Sequence, residues 1–190
     1  MKKDLRIVKT ERNIKNAFVQ LIMEKSYKNV KIKDIVERAM INRNTFYLHY
    51  SSKENLVDAV INDATKTLSE RLNPRRSSPI INDTEVISVY INKLLEILKE
   101  YKSLLKAVLL DPGLTGYFFS FKSTLTERLL NYVDKSLTKN KIIVSFALSG
   151  LYGVIERWIM YDDLTQKDIS EECAKLCVAC VKGASYKDKR

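Results

Sequence analysis

Glycine, proline, cysteine and histidine are all scarce in this chain: five, three, three and one among 190 residues. Few glycines leave few positions able to hold a positive φ. That disfavours glycine-rich phosphate loops and hairpin-dense β folds and favours helices. The three cysteines, Cys173, Cys177 and Cys180, cannot build a disulfide framework, and an odd number fits a reducing compartment, so a cytoplasmic location is expected. The single histidine, His49, excludes histidine-rich metal sites and would have to carry any Ser-His-Asp or Cys-His mechanism alone. No catalytic residue, metal or cofactor is therefore expected. Long apolar runs are also missing. The longest uncharged stretch, residues 142–155, is 14 residues, short of the roughly 20 a membrane crossing needs. The opening Met-Lys-Lys-Asp-Leu-Arg is charged, so neither a secretory leader nor a membrane partner is expected.

What is present is a soluble composition with an uneven charge. Hydrophobic residues make up 45% of the chain and charged ones 29%, enough to bury a core without staples. Lys and Arg number 33 against 23 Asp and Glu, a net +10 that points to a polyanionic partner. Residues 1–50 hold twelve of the basic and five of the acidic side chains, net +7. Residues 51–73 are near neutral and the long remainder carries the rest. Every proline and glycine lies after Asn73. Pro74-Arg-Arg-Ser-Ser-Pro79 is the clearest break. It suggests an N-terminal unit of residues 1–50, a connecting helix over 51–73, and a second unit over 74–190. Asp111-Pro112-Gly113 breaks the second unit internally.

In the N-terminal unit Thr10 is placed to cap a first helix whose Ile14, Ala17, Phe18, Leu21 and Ile22 fall on one stripe, with Tyr27 folding back on it. A second short helix over 31–39 turns Ile32, Ile35, Val36 and Ala39 inward. After the interruption Met40-Ile41-Asn42, Asn42 is an N-cap for a third helix from Arg43 to His49. Phe46 and Tyr50 share its core face, leaving Arg43, Asn44, Thr45, Tyr47 and His49 pointing elsewhere. Ser51 or Ser52 then caps a long fourth helix with Leu56, Val57, Val60, Ile61 and Ala64 in its stripe.

Two short helices joined by a three-residue turn form a helix-turn-helix pattern. Its second helix suits the major groove, where Arg can donate twice to guanine and Asn can pair with adenine, while hydroxyls, Tyr, His and Lys hold phosphates. The run from Ile32 to Leu56, and above all Thr45-Phe46-Tyr47, His49-Tyr50, Lys53-Glu54 and Leu56, resembles the DNA-binding domain of the TetR family of bacterial transcriptional regulators. The resemblance implies that Arg43, Asn44 and Thr45 lie at the groove, that Lys33 reaches bases, and that Tyr47, His49 and Lys53 hold phosphates. Asn42 and Lys31 complete the expected DNA-binding set. Two positions depart from the family pattern. Lys31 stands where Thr is common, exchanging a hydroxyl cap for a phosphate-seeking charge. Met40 stands where Gly is common. Either Met40 adopts positive φ, at a cost on the order of 1 kcal/mol, or the turn is altered.

The second unit remains helical. Val86, Val89, Tyr90, Leu94, Ile97 and Leu98 are expected on one stripe, followed by 104–110, a helix through Leu125, Leu129, Val133 and Leu137, and two long helices over 140–161 and 167–185. Tyr117, Phe118 and Phe121, with Tyr90, Tyr152 and Trp158, could line an apolar small-molecule pocket, although ordinary core packing accounts for the same residues. Cys177-x-x-Cys180 reads as a buried helix face. Ala147, Gly150 and Gly153 permit close helix approach, and a helix apolar all round is buried on all sides. The resemblance implies a homodimer through the last two helices. The expectation is an all-α chain of about nine helices, an N-terminal three-helix helix-turn-helix domain plus a C-terminal helical regulatory and dimerisation domain. Its expected function is transcription regulation at the nucleoid, as a ligand-responsive repressor on a palindromic operator. An architectural, nucleoid-associated protein without an effector is the alternative.

Overall fold

A computed structural model of the chain describes residues 5–72, 83–130 and 141–184. The Pro74 to Pro79 break, Val133 and Leu137 lie outside them. The described residues form nine α-helices and no strand. These are α1 (Leu5–Lys25), α2 (Ile32–Arg38), α3 (Arg43–His49), α4 (Lys53–Arg71), α5 (Thr84–Glu100), α6 (Lys102–Leu110), α7 (Thr115–Leu130), α8 (Lys141–Tyr161) and α9 (Gln166–Ala184). The chain is all-α. Its Cα packing separates two units, one of Met1–Lys66 with Ser103–Phe121 and one of Thr67–Lys102 with Lys122–Arg190.

The first unit is built on the expected stripe of α1, since Ile14, Ala17, Phe18, Leu21 and Ile22 are its buried residues. Tyr27 folds back edge-on to Phe18, ring centroids 6.3 Å apart. Ile35 and Val36 of α2 join that core, with Leu56, Val57, Val60 and Ala64 of α4. Thr10 is not a cap: α1 already runs from Leu5, and the Thr10 hydroxyl donates to the Arg6 carbonyl within the helix. Ser52 is the residue that caps α4, its Oγ accepting the Asn55 N–H at 3.1 Å.

In the second unit the stripe of α5 is rotated from the expected one. Ile87, Ile91, Leu94, Leu95, Ile97 and Leu98 are buried, while Val86 and Val89 are exposed. Nine apolar residues on this helix left its inward face ambiguous by period, and packing against α9 selected it. On α9 the inward face is Ile169, Ser170, Cys173, Ala174 and Val178. Leu176 points out, and Cys177 and Cys180 are half-buried. Burial pushes the Cys177 thiol up to about 11. Helix α8 contacts α9, and its buried residues among those described are Leu151, Tyr152, Ile155, Trp158 and Ile159. Its Ile142 and Phe146 are exposed, and a Cβ placed on Gly150 or Gly153 would meet nothing within 4 Å. The described residues therefore cover only part of an almost wholly apolar helix.

Candidate nucleic-acid interface

Helix α3 has seven residues, too few to persist alone in water. Its stability is tertiary. Phe46 is wholly buried and Tyr50, just past its end, nearly so, the two rings 5.9 Å apart. Burying an aromatic of this size stabilises by about 1.5–3 kcal/mol. Asn42 caps the start: its Oδ1 accepts both the Thr45 N–H (2.7 Å) and the Thr45 hydroxyl (2.9 Å). Asn42 and Thr45 thus hold each other, and Thr45 is half-buried rather than free.

Helix α2 has a lysine at its N-cap, and lysine cannot accept a hydrogen bond. Its first turn is secured from the other side. The Asp34 carboxylate accepts the Lys31 N–H at 2.8 Å and pairs with Lys25 at 2.7 Å, which holds its carboxyl below the usual aspartate range. The Lys31 side chain is left exposed, and Lys33 is exposed with only a loose 3.8 Å approach to Glu37. The turn between α2 and α3 keeps its left-handed residue: Met40 has φ 54° and is 92% exposed. Of the two alternatives for this departure from the family pattern, the strained methionine is the one realised.

The outward face of α3 is formed by Arg43, Asn44, Tyr47 and Leu48. Arg43 and Tyr47, one turn apart, touch each other, with the guanidinium 5.7 Å from the ring centroid and Nη2 donating to the Tyr47 hydroxyl at a long 3.4 Å. Contacts this weak and exposed give way readily to a stronger acceptor.

Two expected phosphate ligands are engaged elsewhere. The Lys53 ammonium donates to the carbonyls of Tyr27 (2.8 Å) and Val30 (2.9 Å) and lies 4.0 Å from the Tyr27 ring centroid. It ties the start of α4 to the 3-10 turn Tyr27–Asn29 that precedes α2. The His49 side chain is only 12% exposed, its Nδ1 3.7 Å from a Glu11 carboxylate oxygen. The same 3-10 turn is gripped from a second side. The buried Asp111 carboxylate accepts the N–H groups of Tyr27 and Gly113, while the Tyr27 hydroxyl donates to Glu54. Gly113 lets the chain pass close here: a Cβ would stand 3.1 Å from Asp111 Oδ1 and 3.3 Å from the Tyr27 ring, so those side chains would have to give by a few tenths of an ångström.

The expected pocket aromatics divide between the two units. Tyr117, Phe118 and Phe121 are half-buried in the first, and Tyr117 bonds to Asp58. Tyr90, Tyr152 and Trp158 belong to the second, where Tyr90 is half-buried and the other two are buried. The Tyr152 hydroxyl lies 3.0 Å from Thr126 Oγ1, with Lys122 above its ring, and Lys102 covers Trp158. Among the described residues no cluster of acidic, His and Cys side chains could hold a metal, and no helix is long and apolar enough to cross a membrane.

Leu48 is the residue that sequence reasoning missed. The available signal was its position one turn after Asn44 and off the Phe46/Tyr50 face, which leaves a leucine 85% exposed among outward-facing polar residues.

The comparisons with known proteins agree with this arrangement. Residues 14–60 match the family model described as bacterial regulatory proteins, tetR family, and residues 85–178 match one described as a transcriptional regulator C-terminal region. An uncharacterised HTH-type transcriptional regulator of Bacillus subtilis is 34% identical over 70 residues, covering 36% of this chain and 18% of the relative. The A-factor receptor protein of Streptomyces griseus is 31% identical over 68 residues, covering 36% of this chain and 25% of the relative. These stretches are a quarter or less of the relatives' lengths. Among solved structures, a transcriptional regulator from Aquifex aeolicus superposes with a TM-score of 0.70 at 19% identity, covering 87% of this chain and 96% of that one. A tetR-family regulator from Streptomyces coelicolor superposes with a TM-score of 0.71 at 15% identity, covering 94% of this chain and 86% of that one. At such identities the likeness is one of fold.

Proposed function

The chain belongs to the TetR family of bacterial transcriptional regulators, and from that premise we propose that it is a homodimeric, sequence-specific DNA-binding repressor rather than an enzyme. The observation that carries the reading is the outward face of α3. Arg43 and Asn44, the two side chain types that read guanine and adenine edges, stand exposed on a helix fixed from behind by Phe46 and capped by Asn42. Exposed Lys31 and Lys33 at the start of α2 flank it within a segment of net +7. Phosphate binding would rest on these lysines and the Tyr47 hydroxyl, with Lys53 and His49 contributing chiefly by holding α3 and α4 in place. DNA as partner puts the protein in the cytoplasm, at the nucleoid.

The apolar face of α8 that stands exposed among the described residues supports dimerisation through α8 and α9. Ile142 and Phe146 are exposed, and Gly150 and Gly153 have room for a second helix to approach closely. A two-fold dimer calls for a palindromic operator with half-sites about one helical turn, or a multiple, apart. A small apolar effector would shift the dimer between two conformers that differ in operator affinity.

Selection from a random DNA pool by the purified full chain tests the reading. A single palindromic motif is the expected product, and Arg43→Ala should then lose about 1–3 kcal/mol and relax preference at one base pair. No enrichment, or an equal loss on operator and random DNA, would overturn it. Dispersed occupancy across a genome would replace it with the architectural alternative.

A further inference from the structure

We infer that Leu48 reads the 5-methyl group of a thymine in the major groove, so that Asn44 and Leu48 together select an A·T-containing step in each half-site. This rests on the DNA-binding reading and adds to it the base chemistry that one residue recognises. Leu48 is 85% exposed on α3, and the core face of that helix is already supplied by Phe46 and by Tyr50 just beyond it. It stands one helical turn from Asn44, the exposed side chain suited to adenine, and between Tyr47 and His49. A leucine can neither donate to a phosphate nor accept from a base edge. In the major groove the apolar group it can cover is the thymine methyl. The basic segment around it brings the occupant, because a surface of net +7 draws a polyanion to the place where this leucine is exposed.

The test uses the full chain and the sequence it enriches from a random pool. Each thymine of one half-site is replaced in turn by deoxyuridine, which removes only the methyl. At one position the wild type should lose about fourfold in affinity, as expected for withdrawing one methyl from burial. Leu48→Ala should bind the thymine and uracil forms of that site alike. 5-Methylcytosine at the same position should bind better than cytosine to the wild type but not to Leu48→Ala. Because the side chain is exposed, Leu48→Ala should melt at the wild-type temperature, separating a lost contact from a lost fold. An enriched site bound equally well with uracil at every thymine position, or containing no thymine, overturns this inference and leaves the DNA-binding reading intact. A pool with no enriched sequence overturns the DNA-binding reading itself.

Discussion

Met40 holds φ 54° with its side chain 92% exposed, so it gains no packing in return for a left-handed backbone. For a residue with a Cβ that conformation costs about 1–2 kcal/mol, part of which glycine would return as lost unfolded-state entropy. Met40→Gly should therefore raise stability by about 0.5–1 kcal/mol in a denaturant melt, with Met40→Ala unchanged. Lys53 is the opposite case, a charged side chain with its bonds turned inward. Replacing it by Met strands two carbonyls and should lower stability by about 2 kcal/mol. Its preference for operator over random DNA should be preserved. A uniform loss on all DNA with a shallower salt slope, at unchanged stability, would return Lys53 to the phosphate backbone.

At the scale of elements, α2 and α3 are two seven-residue helices whose starts are secured differently. Asn42 caps α3 with its own side chain, a device worth about 1 kcal/mol. Helix α2 relies on Asp34, whose carboxylate is held ionised first by Lys25 and then by the Lys31 N–H. A carboxylate with a folded-state pKa below its unfolded value stabilises the fold above the ordinary aspartate range, and loses that contribution as pH falls through the lowered value. The stability gap between wild type and Asp34→Asn should thus be constant near neutrality and shrink below about pH 4, as read from thermal melts across pH. A gap that widens on acidification would contradict the assignment.

At the scale of the molecule, part of the apolar surface of α8 stands exposed among the described residues. Phe146 is 71% exposed in the first half of the helix, and Gly150 follows it one turn later on open space. Phe146→Glu should give a folded monomer by sedimentation, with operator binding reduced at least a hundredfold because two linked half-site contacts become independent. A dimer that survives this change and Gly150→Arg would place the interface elsewhere. Dimerisation would also bring together two N-terminal segments of net +7 each, a field that recruits DNA before any base is read.

Much of this was legible in the sequence because helices announce themselves locally. The stripe of α1, the Asn42 cap, the core pair Phe46 and Tyr50, and the exposed Arg43 and Asn44 all follow from which residues share a face at a period of 3.6. At Met40 a turn with no glycine left two outcomes open, a strained residue or an altered turn, and the fold took the first. Where apolar residues surround a helix, the period stops deciding, and α5 took its inward face only from packing on α9. Tertiary structure alone settled the partners of polar groups far apart in the chain. Lys53 meets carbonyls 26 and 23 residues away, and Asp111 meets an N–H 84 residues away. A side chain's type fixes what it can bond, but which donor or acceptor reaches it is set by the folded path of the chain. That path, by turning Lys53 and His49 inward and leaving Leu48 outward, decided which side chains of the motif stand exposed.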